Sequence, residues 1–287
     1  MRELFNDGWE FTEQSVGSGI EAVDTYSFEN VNIPHDWMIY HTDELYKDST
    51  GIYRKVFSLK KDPSMRYEIY FEGVYMDTVV YVNGKTAGEW KYGYSSFFFD
   101  ITELLRDGEN TVLVKSDYRS PNTRWYSGAG IYRDVYFISH PASHMVTDSL
   151  YISAVPVDDT LKEWELRISV EFAGEAKDIS LKIPGLGIDK SAAAGSLIKE
   201  EYPDGIKKLE FCERVSSPAL WSLDDPSLYE LKLKADNGDE LKERFGFRHF
   251  VCDTEKGFFL NGEHVKINGV CEHHDLERWG RLLTSMR

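Results

Sequence analysis

Apolar residues recur at every second position, in short runs, along most of this chain. Tyr53, Phe57 and Leu59 alternate with polar neighbours between Gly51 and Lys60, and Tyr67, Ile69 and Phe71 do so in the next run. A period of two marks a strand with one face buried. Thr78-Val79-Val80-Tyr81-Val82 leads into Asn83-Gly84, a two-residue hairpin turn in which both residues need positive φ. Tyr94 to Ile101 reads as a further strand, and Asp107-Gly108 turns the chain into Asn110 to Lys115. Upstream, Gly8-Trp9-Glu10-Phe11 opens a strand. Asn32-Ile33-Pro34-His35-Asp36-Trp37 follows, its proline interrupting regular pairing and its Trp filling a core. Short strands at this spacing predict a sandwich or jelly roll over 1–141.

The pattern continues over 142–247. Strands are expected at Ser149 to Val155, Trp164 to Phe172, Ile179 to Ile183, Lys208 to Glu213 and Leu228 to Lys234. About seven short strands in ~100 residues fit an immunoglobulin-like sandwich. Ser191 to Ser196 reads as a surface loop, and Leu220-Trp221 as a cover over one end of the core. Beyond Arg244-Phe245-Gly246-Phe247-Arg248, Phe258 to Val265 forms a hairpin about a second Asn-Gly turn, Asn261-Gly262, and Val265 to Cys271 forms a strand. A lone strand cannot bury its faces, so 248–287 is expected to begin a further domain. The fold class is all-β, with little room for helix.

The most irregular stretch is Arg124 to Val135. Trp125 and Tyr126 are bulky and flat, whereas Ser127-Gly128-Ala129-Gly130 lets the backbone turn sharply and approach another surface. Ile131, Arg133 and Val135 then alternate as in a strand. The plain reading is a loop-to-strand corner with a core Trp. The functional reading is an aromatic platform for a sugar ring.

Composition narrows the classes. At 287 residues the chain should hold about two domains. A net charge of −16 argues against nucleic acid as a partner, because a phosphate-binding surface needs clustered Lys and Arg. The three cysteines, Cys212, Cys252 and Cys271, are odd in number and lack CxxC spacing, which suggests a reducing compartment. The N-terminus has no apolar core for a signal peptide, and no run is long enough to cross a membrane. These features predict a soluble, cytoplasmic protein with no membrane partner. His35 reads as a structural histidine. In Glu272-His273-His274-Asp275, adjacent strand residues point to opposite faces, so at most His273 and Asp275 converge. Two ligands are too few for a closed zinc site, and no metal is assigned.

The order of motifs resembles the N-terminal part of family 2 glycoside hydrolases, nearest to the β-galactosidase type. The residues that carry it are Ile33-Pro34-His35-Asp36-Trp37, Gly51-Ile52-Tyr53-Arg54-Lys55, Val82-Asn83-Gly84, the corner at Arg124 to Val135, Leu220-Trp221-Ser222 with Pro226, Arg244 to Arg248, and Gly269-Val270-Cys271 with His273-His274-Asp275-Leu276. The resemblance implies a jelly-roll sugar-binding domain, an immunoglobulin-like domain and the first strand or strands of a truncated (β/α)8 barrel. It implies hydrolysis of terminal β-galactosides or related β-glycosides with retention. That chemistry needs two carboxylates about 5 Å apart. In the family both are glutamates on later barrel strands, the acid/base following an Asn. This chain has no Asn-Glu dipeptide, so no catalytic residue is carried over and the chain is expected to be inactive.

Substrate-side positions do carry over. Asp48, before Ser49-Thr50-Gly51, matches a polar sugar contact of relatives. Thr123, beside Arg124-Trp125, matches a second, where some relatives carry a carboxylate. His273 matches a sugar-contacting histidine at the end of the first barrel strand, where such contacts belong. The implied partner is carbohydrate, with no organic cofactor; a sodium or magnesium ion in the intact enzyme is left open. Barrel-facing surfaces, if exposed, favour a homo-oligomer. The alternative class is a non-catalytic carbohydrate-binding module or an interaction protein. The tail 277–287 departs from the family pattern; it reads either as the product of a single-base deletion after the Leu276 codon, with which one coding of a family-like run is compatible, or as the unrelated amphipathic tail of a natural short protein.

Overall fold

The computed structural model describes residues 1–40, 44, 47–120 and 127–271. They form two compact units, one over Met1–Ser139 and the other over His140–Gly269. Helix is confined, among the described residues, to 3-10 turns and the single α-turn α1 (Ala194–Leu197).

In the first unit the strands are β1 (Arg2–Leu4), β2 (Trp9–Ser15), β3 (Glu29–Val31), β4 (Ser49–Leu59), β5 (Met65–Phe71), β6 (Thr78–Val82), β7 (Lys85–Trp90), β8 (Phe97–Asp100), β9 (Gly108–Tyr118) and β10 (Val135–Pro141). They make a six-stranded sheet, β3-β2-β4-β9-β6-β7, and a four-stranded sheet, β1-β10-β5-β8. Register explains the alternation in the sequence. Phe11 pairs with Tyr53, Tyr53 with Val114, and Val114 with Val80. This row of four crosses the larger sheet and is almost wholly shielded from water. Ile69, Phe71, Phe97 and Val135 come from the smaller sheet into the same core. Asn83 and Gly84 both take positive φ, as the hairpin between β6 and β7 requires. Trp37 is buried, with its Nε1 donating to Ser49 Oγ at 3.0 Å.

The second unit contains β11 (His144–Met145), β12 (Tyr151–Pro156), β13 (Glu163–Ala173), β14 (Asp178–Ile183), β15 (Ile188–Ala193), β16 (Ile198–Glu201), β17 (Lys207–Ser216), β18 (Tyr229–Ala235) and β19 (Glu240–Phe245). One sheet has the order β11-β13-β17-β16, with β12 also on β13, and the other β15-β14-β18-β19. The rows Ile152–Ile168–Phe211 and Leu181–Leu233–Leu241 supply one core. Trp164 closes it edge-on to Phe247 at 5.4 Å, its indole N–H donating to Leu161 O. A separate sheet follows: β20 (Phe250–Asp253), β21 (Gly257–Leu260) and β22 (Glu263–His264), with the second Asn-Gly turn between the last two.

Three expectations are corrected. Val265 to Cys271 carries no strand, and Ile267 and Val270 are among the most exposed apolar residues. Alternation without a pairing partner does not make a strand. Ile131 to Asp134 is also not strand, because its polar groups are used elsewhere: Ile131 O accepts from His35 N–H, and Asp134 O from Glu72 N–H. Ser191 to Ser196 is not a surface loop. It holds the end of β15, paired with β14, and most of α1, whose Ala194 and Leu197 are buried. Among the described residues, no helix is long and apolar enough to cross a membrane.

Candidate functional site

The candidate site forms at the end of the first unit where β4 begins, β9 ends and the glycine corner passes. Asp48 immediately precedes β4. Its Oδ1 accepts from the backbone N–H of Ser120 at 2.7 Å, two residues past the end of β9. Ser49 and Thr50 then pair with Tyr118 and Asp117, which fixes the two strand ends side by side.

Behind Asp48 lies a buried polar network. Thr50 and Asp117 are both buried, and Thr50 Oγ1 donates to Asp117 Oδ1 at 2.7 Å. The Gly17 N–H donates in turn to Thr50 Oγ1. Lys115 approaches Asp117 at 3.4 Å and Arg119 at 3.8 Å. A buried carboxylate must be paired or hydrogen-bonded, and Asp117 is both. It therefore anchors the site and leaves Asp48, which is exposed, as the carboxylate available to a ligand.

The far side of the corner is held as firmly. Gly130 and Tyr75 exchange two backbone hydrogen bonds, each 2.9 Å. Gly130 has φ +89, and a Cβ there would sit 2.1 Å from Tyr53 Oη and 2.9 Å from Trp37. Glycine is required for both reasons. Tyr94 Oη donates to Ser127 O at 3.3 Å, and Tyr132 Oη to Gly93 O at 2.7 Å. His35 Nδ1 lies 2.8 Å from Tyr53 Oη, and burial lowers its pKa to about 4. It is a structural histidine, neutral at pH 7.

Of the residues expected to touch sugar, Asp48 lies in this site. Thr123, Arg124, Trp125 and His273 lie outside the described residues, as does the tail 277–287. Both flanks of 121–126 are placed, at Ser120 by Asp48 and at Ser127 by Tyr94. Sequence reasoning missed Asp117, Tyr94 and Ser127. One signal was present: along β9 the apolar run ends at Val114, yet Ser116 and Asp117 remain buried.

Two profiles of one family match in succession. Residues 14–141 match the glycosyl hydrolases family 2 sugar binding domain, and residues 148–248 match glycosyl hydrolases family 2. The chain belongs to glycosyl hydrolase family 2. It is 34% identical over 302 residues to a beta-galactosidase of Bacteroides ovatus, which covers 96% of this chain and 35% of that protein. It is 28% identical over 315 residues to a beta-glucuronidase of Bacteroides fragilis, covering 98% and 42%. Among solved structures, a beta-glycosidase from Bacteroides vulgatus superposes with a TM-score of 0.78 at 29% identity, covering 98% of this chain and 38% of that one. The chain thus spans between 35% and 42% of the length of these relatives.

Proposed function

We propose that this chain is the N-terminal portion of a family 2 glycoside hydrolase that, when intact, hydrolyses terminal β-galactosides or a related β-glycoside with retention. The first unit serves as its jelly-roll sugar-binding domain and the second as its immunoglobulin-like domain. The observation that carries this reading is the succession of the two family matches on one chain. Relatives named beta-galactosidase and beta-glucuronidase both align along almost all of it, so the glycone is assigned only as a β-linked pyranose. Asp48 offers an exposed carboxylate to sugar hydroxyls, with Thr123, Arg124, Trp125 and His273 as the other contacts. The 287 residues supply no Asn-Glu acid/base and are proposed to be inactive by themselves.

The test has two arms. The purified chain is assayed with p-nitrophenyl β-galactoside and β-glucuronide, and the gene is sequenced across the codons for Leu276 and Glu277 and beyond. No turnover, together with a frame that continues into a barrel bearing two glutamates, is the expected result. Turnover by the chain would overturn its inactivity. Absence of a barrel in every frame would overturn the enzyme reading and leave a carbohydrate-binding protein, to be tested by titration with lactose.

A further inference from the structure

The second unit contains a groove of about 580 Å³, lined chiefly by Tyr151, Trp221, Leu228, Arg244, Arg248 and Phe250. That volume lies within the usual range for small-molecule sites, roughly 300–1,000 Å³. Its charge is unusual for this chain. The protein has 49 acidic against 33 basic residues, yet two arginines and no Asp or Glu line the groove. Glu230, across the ladder from Arg244, is not among its walls. Among the described residues, neither guanidinium forms an ion pair. Arg248 instead lies over the Trp221 ring at 5.3 Å, a cation–π contact that orients the guanidinium without neutralising it.

The walls are built rather than incidental. Trp221 N–H donates to Phe247 O at 2.8 Å, and Asn261 Nδ2 donates to Trp221 O at 2.9 Å. Asn261 Oδ1 also accepts from His249 N–H, so the β20–β22 sheet, which carries Phe250, is tied to the Trp221 loop. Gly246 allows the close approach: a Cβ there would meet Trp221 Cβ and Ser227 O, each at 3.0 Å. The aromatic rims remain open to solvent, Tyr151 at 65% and Phe250 at 60% exposure.

We propose that this groove binds a carboxylate-bearing sugar, a uronate unit of an acidic oligosaccharide. The carboxylate would sit on Arg244 and Arg248, whose planar forks match it, and the C–H face of the pyranose would lie against Tyr151 or Phe250. An acidic peptide satisfies the arginines but makes no use of two flat exposed rings. The proposal does not rest on the hydrolase reading, because the groove lies wholly within the second unit and involves no hydrolysis. Either can fail while the other stands.

The experiment is calorimetric titration of the 287-residue chain with a galacturonate trisaccharide, its methyl ester and a hexaglutamate peptide. The acid should bind, and the neutral ester should bind at least about tenfold more weakly, in keeping with the strength of charge-assisted pairs. Arg244→Gln and Arg248→Gln should each weaken the acid by about tenfold or more, and Tyr151→Ser by a few-fold. Circular dichroism checks that each variant is folded. Arg244→Gln and Tyr151→Ser alter solvent-exposed side chains, so they remain informative if Arg248→Gln does not fold. No binding of the acid at about 10 mM, equal binding of the ester, full competition by the peptide, or wild-type affinity in Arg244→Gln and Tyr151→Ser would each overturn the proposal. So would a dimer in sedimentation that Tyr151→Ser abolishes, which would make the groove an interface between copies.

Discussion

Asp48 Oδ1 accepts the backbone N–H of Ser120 at 2.7 Å across 72 positions of sequence. The residue proposed to meet a sugar hydroxyl thus also holds Ser120, which lies three residues before Thr123 and shortly before Arg124 and Trp125. Among the described residues its second carboxylate oxygen has no hydrogen-bond partner, so one carboxylate can hold Ser120 and still accept from a ligand.

Asp48→Ala should therefore loosen the loop more than it destabilises the unit. The bond is exposed, and its loss should cost about 1 kcal/mol or less. The Ser120 amide, however, should exchange with solvent about tenfold faster. Asp48→Asn retains an acceptor and should restore most of the protection. Hydrogen-exchange mass spectrometry over the peptide containing Ser120 measures this. Unchanged exchange in Asp48→Ala would show that the tether does not hold the segment.

Much of the fold could be read from alternation, and the failures share a cause. The Asn83-Gly84 and Asn261-Gly262 turns were legible because positive φ at two successive residues restricts the local sequence. The Tyr53 and Val114 strands were legible because one face of each is buried. Val265 and Ile267 alternate in the same way, but Val265 to Cys271 has no pairing strand among the described residues. Ser191 to Ser196 does not alternate, yet β14 supplies one. Strand formation there is decided by pairing, which a local pattern does not record. The site divides likewise. Asp48 was reached through resemblance, whereas Ser120, Tyr94 and Ser127 join it through contacts 33 to 72 residues apart.

Gly130 and Gly84 both have positive φ, but their surroundings differ. A Cβ at Gly84 meets nothing within 4 Å, whereas one at Gly130 meets Tyr53 Oη and Trp37. Gly84→Ala should cost about 1–2 kcal/mol, the left-handed penalty alone. Gly130→Ala adds a clash with two buried rings and should cost more than about 3 kcal/mol. Urea unfolding, followed by exchange of first-unit peptides, distinguishes them. Equal costs would mean that the corner can move away from Tyr53.

On the second unit, Lys182, Lys232 and Lys242 stand abreast on three adjacent strands. Like charges directly opposite destabilise a sheet. Glu240 offsets them, reaching Lys232 at 2.5 Å and Lys242 at 2.9 Å. Hydrogen bonds from these two lysines lower the Glu240 pKa to about 2. Its carboxylate carbon should hold its NMR shift well below pH 4, where an ordinary glutamate titrates. Glu240→Gln should lower the melting temperature at low salt and recover in 1 M salt, where the Debye length falls to about 3 Å. A salt-independent loss would point to packing instead of charge.

His35 gives the first unit an acid limit. Burial lowers its pKa to about 4 from the ordinary imidazole value of 6.5, so the folded state favours neutral imidazole beside Tyr53. In the unfolded chain the ring protonates near 6.5. Between these values the unfolded state binds more protons, and stability rises with pH. The contribution is fully present above pH 6.5, declines as the pH falls toward 4, and is lost below that. The interval of about 2.5 units corresponds to roughly 3 kcal/mol. The melting temperature of the first unit should therefore start to fall below pH 6.5, before most carboxylates titrate. His35→Gln, which cannot take up a proton, should start less stable at pH 7.5 and show a flatter profile from 6.5 to 5. An unchanged slope in that variant would assign the acid sensitivity to other groups.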